Sequence, residues 1–291
     1  MISQLELFQY SRSKNINYST KPFVKWVGGK RQLIDKLESK MPDTYNRYYE
    51  PFIGGGAMLL NLHPYNPVIN DINGELINVY RQIKMNPESV IVAVDDLDKI
   101  ECDKERYYIL RNRYNEKIQA QEFDAELAGL TIWINKHCFN GLYRVNSKGM
   151  FNVPYNNKVN VASIEEENIR NIGEYLQKCS VEIREGDFEK ACDDVKTGDF
   201  VYFDSPYVPE SETAKFTDYT MYGFTLEDHN RLANLFRRLD SIGAKLLLSN
   251  NDVPLVYELY EGYRIESVDV RRDINSVASK RTGKEVIVTN Y

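Results

Sequence analysis

The stretch Phe200-Val201-Tyr202-Phe203-Asp204-Ser205-Pro206-Tyr207 decides how this chain is read. Four apolar residues without polar alternation fit a strand buried on both faces, as the inner strands of parallel sheets are. An acid, a proline-stiffened turn and an aromatic ring follow at once. In an open α/β sheet, ligands bind beyond the carboxyl ends of the strands, so this strand end is a candidate site. The acid accepts from an amine, and the ring offers a face to a planar nitrogenous base. Taken alone, the tetrapeptide reads equally well as a capped turn.

Working outward, Tyr48-Tyr49-Glu50 reads as a short strand running into Pro51-Phe52-Ile53-Gly54-Gly55-Gly56, with a helix over residues 57–62. Glycines after a first strand let the backbone approach a bound cofactor, and the helix beyond offers free amides. Val68-Ile69-Asn70-Asp71 reads as a second strand, ending on an acid 21 residues after Glu50. That is where a βαβ cofactor fold holds ribose hydroxyls; by itself Asp71 also reads as a helix cap. The spacing excludes the dinucleotide fingerprint, which would need glycine at Leu59 or Leu60, and Gly28-Gly29-Lys30 lacks the Ser or Thr of a Walker loop. Helices are expected over 30–40 and 75–84, the latter stopped by Asn86-Pro87, and over 226–242; further strands over 181–183, 245–249, 263–270 and 285–290. Strands alternating with helices imply a mostly parallel sheet covered on both faces.

Between about 88 and 178 the texture changes. Helical patterns over 107–117 and 126–134 give way to a Gly/Asn-rich stretch, with Asn146-Ser147-Lys148-Gly149 as a hairpin tip between 142–145 and 150–153. The chain therefore divides into an α/β domain, residues 1–87 and 179–291, interrupted by an insertion at 88–178. Residues 1–20, rich in Ser, Asn and Lys, read as a lead-in.

The net charge of −6 over 291 residues argues weakly against a polyanionic partner, but binding follows local patches. Residues 21–47 hold Lys21, Lys25, Lys30, Arg31, Lys36, Lys40 and Arg47 against Asp35, Glu38 and Asp43, and residues 136–158 hold Lys136, Arg144, Lys148 and Lys158 with no acid. The four cysteines and three histidines are scattered, which disfavours a zinc site or a disulfide framework. No run approaches the ~18 apolar residues of a membrane helix, and the N-terminus lacks a signal pattern, so the expectation is a cytoplasmic protein.

Phe23-Val24-Lys25-Trp26-Val27-Gly28-Gly29-Lys30, the Glu50–Gly56 turn and Asp204–Tyr207, in that order, resemble the amino-methyltransferases of DNA. Their arrangement is similar to the class alpha, Dam-family adenine N6-methyltransferases. Asn140-Gly141-Leu142-Tyr143-Arg144 followed by Phe151-Asn152-Val153-Pro154-Tyr155 resembles that family's recognition hairpin. The likeness runs from about Lys21 to Tyr291.

The resemblance implies a Rossmann-like methyltransferase sheet with an inserted, mainly helical target-recognition domain carrying a β-hairpin. It implies S-adenosyl-L-methionine as cofactor, double-stranded DNA as partner with GATC as the target, no metal, and a monomer or weak dimer. Trp26, Lys30, Glu50, Phe52 and Gly54 would line the cofactor pocket, with Asp204 at its edge. Asp71 would hold the ribose, Asp187 would meet the amine of the cofactor's adenine, and Phe188 its ring. Lys25, Asn140, Leu142, Arg144 and Tyr155 would face DNA. Lys25 and Arg144 would read guanines, since these side chains pair with O6 and N7 in the major groove; a phosphate contact is the alternative for Arg144.

Asp204, Ser205, Pro206 and Tyr207 would form the catalytic element. Adenine's amine is out of reach inside a duplex, so the base must flip out. Tyr207 would stack on it, while the Asp204 carboxylate and the Ser205 carbonyl accept the amine hydrogens and expose the lone pair for in-line transfer. The chain departs from the family at Ser205, where proline is usual; serine adds an N–H and frees φ. A catalytically silent DNA-binding relative is therefore the alternative reading. A third, methylation of cytosine N4 or of RNA, is disfavoured by the hairpin.

Overall fold

The computed structural model describes residues 10–11, 18–26, 28, 30, 33–158, 162–209, 223–271 and 282–291. Val27, Gly29, Arg31 and most of the expected lead-in fall outside the described residues. In chain order the strands are β1 (Tyr10–Ser11), β2 (Thr44–Tyr45), β3 (Tyr48–Glu50), β4 (Val68–Asp71), β5 (Glu182–Glu185), β6 (Phe200–Phe203), β7 (Lys245–Asn251), β8 (Arg264–Arg271) and β9 (Thr282–Thr289). The α-helices are α1 (Ile34–Lys40), α2 (Leu59–Leu62), α3 (Gly74–Met85), α4 (Pro87–Asp98), α5 (Lys104–Gln119), α6 (Ala125–His137), α7 (Glu166–Lys178), α8 (Leu226–Ser241) and α9 (Pro254–Leu259).

Seven strands make one sheet in the order β5-β4-β3-β6-β7-β9-β8, and β1 pairs with β2 apart from it. The run from β5 to β7 is parallel. β9 lies antiparallel between β7 and β8, so the sheet is mixed at that edge. The strand order reverses between β3 and β6, which places the Glu50–Gly56 turn beside Asp204 at the carboxyl ends of adjacent strands. Such a switch point is where open α/β sheets bind ligands.

The pleat explains why β6 needs apolar residues throughout. Successive side chains point to opposite faces. Phe200 and Tyr202 join Tyr48, Leu247 and the helical residues Tyr80, Val94 and Ile172 in one core. Val201 and Phe203 join Tyr49, Leu246, Leu248, Leu232 and Phe236 in the other. Both faces are thus covered. A third core belongs to α5, α6 and the segment after them, with Tyr107, Tyr114, Trp133, Phe151 and Val153 among its buried members.

α3 stops at Met85, as Asn86-Pro87 implies, and a second helix opens at once. Asn86 is at once the C-cap of α3 and the N-cap of α4, and Pro87 opens α4. At the first helical position a proline loses no hydrogen bond, because that N–H has no intrahelical partner. The helix α7 was not anticipated within 88–178; its Ile169, Ile172, Tyr175 and Leu176 pack into the first core rather than the third. The expected hairpin is reduced to single bridges, Val145↔Phe151 and Cys138↔Tyr155. Its tip is held by Asn146, whose side chain accepts the amides of Lys148 and Met150 at 2.9 and 3.1 Å. Among the described residues no helix is long and apolar enough to cross a membrane, and no group of three or more His, Cys, Asp or Glu is arranged to hold a metal.

Candidate active site

β6 delivers Asp204 to the switch point, and its neighbours fix it there. The Lys30 ammonium lies 2.7 Å from Asp204 Oδ1. The Ser249 hydroxyl, at the end of β7, donates to the same oxygen at 3.2 Å. Oδ2 carries no hydrogen bond among the described residues and is the open acceptor. Lys30 is 4% exposed; it also donates to the Gly28 carbonyl at 2.5 Å and stands 4.4 Å from the centroid of the Tyr207 ring. Burial pushes the Asp204 carboxyl above its ordinary pKa, and the charge and hydrogen bond of Lys30, with Ser249, pull against that shift.

The turn after Asp204 is pinned by β7 and β9. The Tyr207 hydroxyl donates to Glu285 Oε2 at 2.7 Å. The Val208 amide donates to Asn250 Oδ1 at 2.9 Å, and Asn251 Nδ2 donates to the Val208 carbonyl at 2.7 Å. Sequence reasoning missed these holders. The signal was the polar run Ser249-Asn250-Asn251 closing an apolar strand, at the same carboxyl edge as Asp204. Ser205 is buried, and its hydroxyl has no hydrogen-bond partner among the described residues. Glu50 is buried at the end of β3 and accepts from the Tyr48 hydroxyl at 2.8 Å. Burial raises its pKa well above the carboxylate range; the Tyr48 bond opposes this and the charge of Asp204 adds to it.

The glycine turn is tied to β4 by the residue expected to hold ribose. Asp71 Oδ2 accepts the Gly54 amide and Oδ1 the Asn73 amide, both at 3.0 Å. The cap of α3 is Asn73, whose side chain accepts from Leu76 N. Gly56 has φ +71, and a Cβ there would lie 2.5 Å from the Tyr80 hydroxyl, which itself donates to the Gly54 carbonyl at 3.0 Å. A Cβ on Gly54 would lie 2.8 Å from the half-buried Trp26 indole. Across the turn, Phe52 stacks near Phe188 with centroids 5.2 Å apart, and Phe224 closes the cluster. Asp187 Oδ2 pairs with Arg231 of α8 at 2.7 Å, and Oδ1 accepts the Glu189 amide. Arg231, another residue missed from sequence, thus occupies one of the oxygens expected to meet an amine. Carboxylates beside glycine backbone and aromatic faces fit a nucleoside, which is the chemistry an adenosyl cofactor requires.

The residues expected to face DNA separate into two groups. Lys25, Asn140 and Arg144 are exposed. Arg144 is steadied by Asn152, whose side-chain oxygen accepts its Nε at 2.7 Å. Leu142 is half-buried. Tyr155 is buried, stacks on Tyr107 at 5.3 Å, and its hydroxyl lies within hydrogen-bond distance of the carbonyls of Cys102 and Lys158, to one of which it donates. Its placement makes it part of the third core, with no face turned outward. Asn135 of α6, missed from sequence, binds both polar backbone atoms of Lys25 and the Gly141 carbonyl.

Asp204 and the Gly54 turn thus lie at the carboxyl ends of adjacent strands of a mostly parallel α/β sheet, the place where such folds carry their ligand sites. A model of the D12 class N6 adenine-specific DNA methyltransferases matches residues 26–274, and the chain belongs to that family, whose reaction is methylation of adenine N6 in DNA. It is 46% identical to the Type II methyltransferase M1.LlaDCHI of Lactococcus lactis subsp. cremoris, over 93% of this chain and 95% of that one. It is 38% identical to the Type II methyltransferase M.MjaIII of Methanocaldococcus jannaschii, over 93% and 99%. The DNA adenine methylase of Escherichia coli is 31% identical over 92% and 94%.

Proposed function

We propose that this enzyme methylates adenine N6 within GATC of double-stranded DNA, taking the methyl group from S-adenosyl-L-methionine after the base is flipped out. The observation that carries the reading is Asp204 Oδ2, without a hydrogen bond among the described residues and held beside the Tyr207 ring at the switch point. The catalytic and cofactor-binding part is residues 1–87 and 179–291, and residues 88–178 recognise the target.

The cofactor supplies an electrophilic methyl carbon on a sulfonium. Trp26, Phe52, the Gly54 turn, Asp71, Asp187 and Phe188 bind and orient it. Asp204 Oδ2 and the Ser205 carbonyl accept the two amine hydrogens of the extruded adenine, and Tyr207 presents a ring for stacking. Both acceptors draw the nitrogen lone pair out of conjugation and toward the methyl carbon. Fixing the two reactants removes much of the entropic barrier. As the N–C bond forms, the methyl's bond to sulfur would break to leave a neutral thioether; the amine proton becomes acidic only then and would leave by way of Asp204 Oδ2 to solvent, so Asp204 serves as an anionic acceptor and need not be a strong base.

The test is incubation with labelled S-adenosyl-L-methionine and duplexes with or without GATC, followed by mass spectrometry of the nucleosides. N6-methyladenine confined to GATC duplexes is expected. N4-methylcytosine, or label on RNA alone, overturns the reading, and N6-methyladenine at other sites overturns the GATC assignment. The buried Ser205 hydroxyl, without a partner among the described residues, favours one second reading, a silent DNA-binding form. That form is established if the native protein methylates nothing and Ser205→Pro creates activity.

A further inference from the structure

We infer that Tyr143 is a positioning residue for the cofactor pocket, supplied by the DNA-facing segment, so that binding of DNA and binding of the cofactor favour each other. The inference rests on the function proposed above. Two short stretches, Lys25-Trp26 and Gly141 to Arg144, meet at Asn135. Asn135 clamps them: its Oδ1 accepts the Lys25 amide at 2.7 Å, and its Nδ2 donates to the carbonyls of Lys25 at 2.8 Å and Gly141 at 3.1 Å. The approach is closest at Gly141, where a Cβ would lie 2.6 Å from Lys25 Cβ.

Lys25 and Arg144 are exposed, whereas Trp26 and Tyr143 between them are half-buried. The two stretches therefore form one partition, with DNA-facing cations on one side and aromatic rings on the other. The Tyr143 ring lies 5.7 Å from Trp26 at 31°, and Trp26 in turn abuts the Gly54–Gly55 turn. The Tyr143 hydroxyl donates to Glu75 Oε2 at 3.2 Å, in the first turn of α3 and just beyond Asp71. Tyr143 thus touches both flanks of the pocket. A DNA contact that fixes Lys25 or Arg144 fixes Trp26 and Glu75 with it, and by linkage an occupied pocket favours DNA equally.

The experiment titrates sinefungin by calorimetry, with and without a duplex that the wild-type enzyme methylates. The readout is the ratio of the two dissociation constants. DNA is expected to tighten sinefungin in the wild type by roughly 5- to 150-fold. Tyr143→Ala brings the ratio close to one, and Tyr143→Phe, which keeps the ring and loses the Glu75 bond, falls between. Combining Tyr143→Phe with Glu75→Gln costs no more than either alone. A wild-type ratio near one, or an unchanged ratio in Tyr143→Ala, overturns the inference. Should Tyr143→Ala fail to fold, the Tyr143→Phe and Glu75→Gln cycle decides, and additive losses overturn it. Wild-type protein that binds no sinefungin and methylates no duplex overturns the functional reading itself, and this inference with it.

Discussion

At Asp204 two requirements oppose each other. An acceptor for amine hydrogens works best as an anion shielded from water, yet shielding raises the pKa of a carboxyl and favours its protonated form. Lys30 reconciles the two. Its ammonium is itself withdrawn from water and relies on Asp204, the Gly28 carbonyl and the Tyr207 ring. Glu50, Tyr202 and Glu285 also bear on this corner, and the charge of Asp204 is felt at Glu50, Tyr202 and Tyr207. On the function proposed above the active form is the deprotonated one, and because burial raises the pKa, activity is expected to be lost as pH falls through a value above that of an ordinary aspartate. Removing Lys30 removes the largest opposing influence. Lys30→Met should move the acid limb of the single-turnover methylation rate further up, by about one pH unit or more. A limb that stays in place in this variant means that Lys30 does not hold Asp204 ionised.

Elements were legible where one physical signal ruled. β6 matches the unbroken apolar run Phe200–Phe203, and α8 begins after Thr225, whose hydroxyl accepts from Asp228 in a capping box. α4 was not legible, because the Asn86-Pro87 pair that stops α3 also suits the start of a next helix. α7 carried a helical apolar period but sat in a stretch read as an insertion, so its packing against α3 was not seen. Side-chain contacts across long sequence separation were invisible altogether. Asn135 stands in an apolar helix with no local hint that Lys25 and Gly141 are its partners. Asn135→Ala leaves the Lys25 amide, the Lys25 carbonyl and the Gly141 carbonyl short of a partner. Unmade hydrogen bonds of buried groups cost about 1–3 kcal/mol, which for a chain of this size lowers the melting midpoint by about 2–4 °C per kcal/mol. Calorimetry of the variant checks this; a midpoint equal to that of the wild type removes Asn135 as the clamp.

The whole molecule carries a net charge of −6, so DNA is repelled at long range and attracted only where cations gather without acids. Residues 136–158 are such a place, mounted on the third core and joined through Asn135 to Lys25. The exposed cations there stand in different settings. Arg144 is oriented by Asn152, as a residue that reads one base edge must be, whereas Lys148 is exposed at the tip of a turn held by Asn146. An oriented guanidinium distinguishes bases, and a flexible ammonium neutralises phosphate. Arg144→Ala is therefore expected to cost about 1–3 kcal/mol on the preferred duplex and to flatten discrimination at one base pair. Lys148→Ala should weaken all duplexes alike and reduce the slope of log K against log salt by about one. Fluorescence anisotropy over a salt series, with the preferred duplex and duplexes altered one base pair at a time, separates the two. If Arg144→Ala loses the same affinity on every duplex, Arg144 positions the backbone and reads no base.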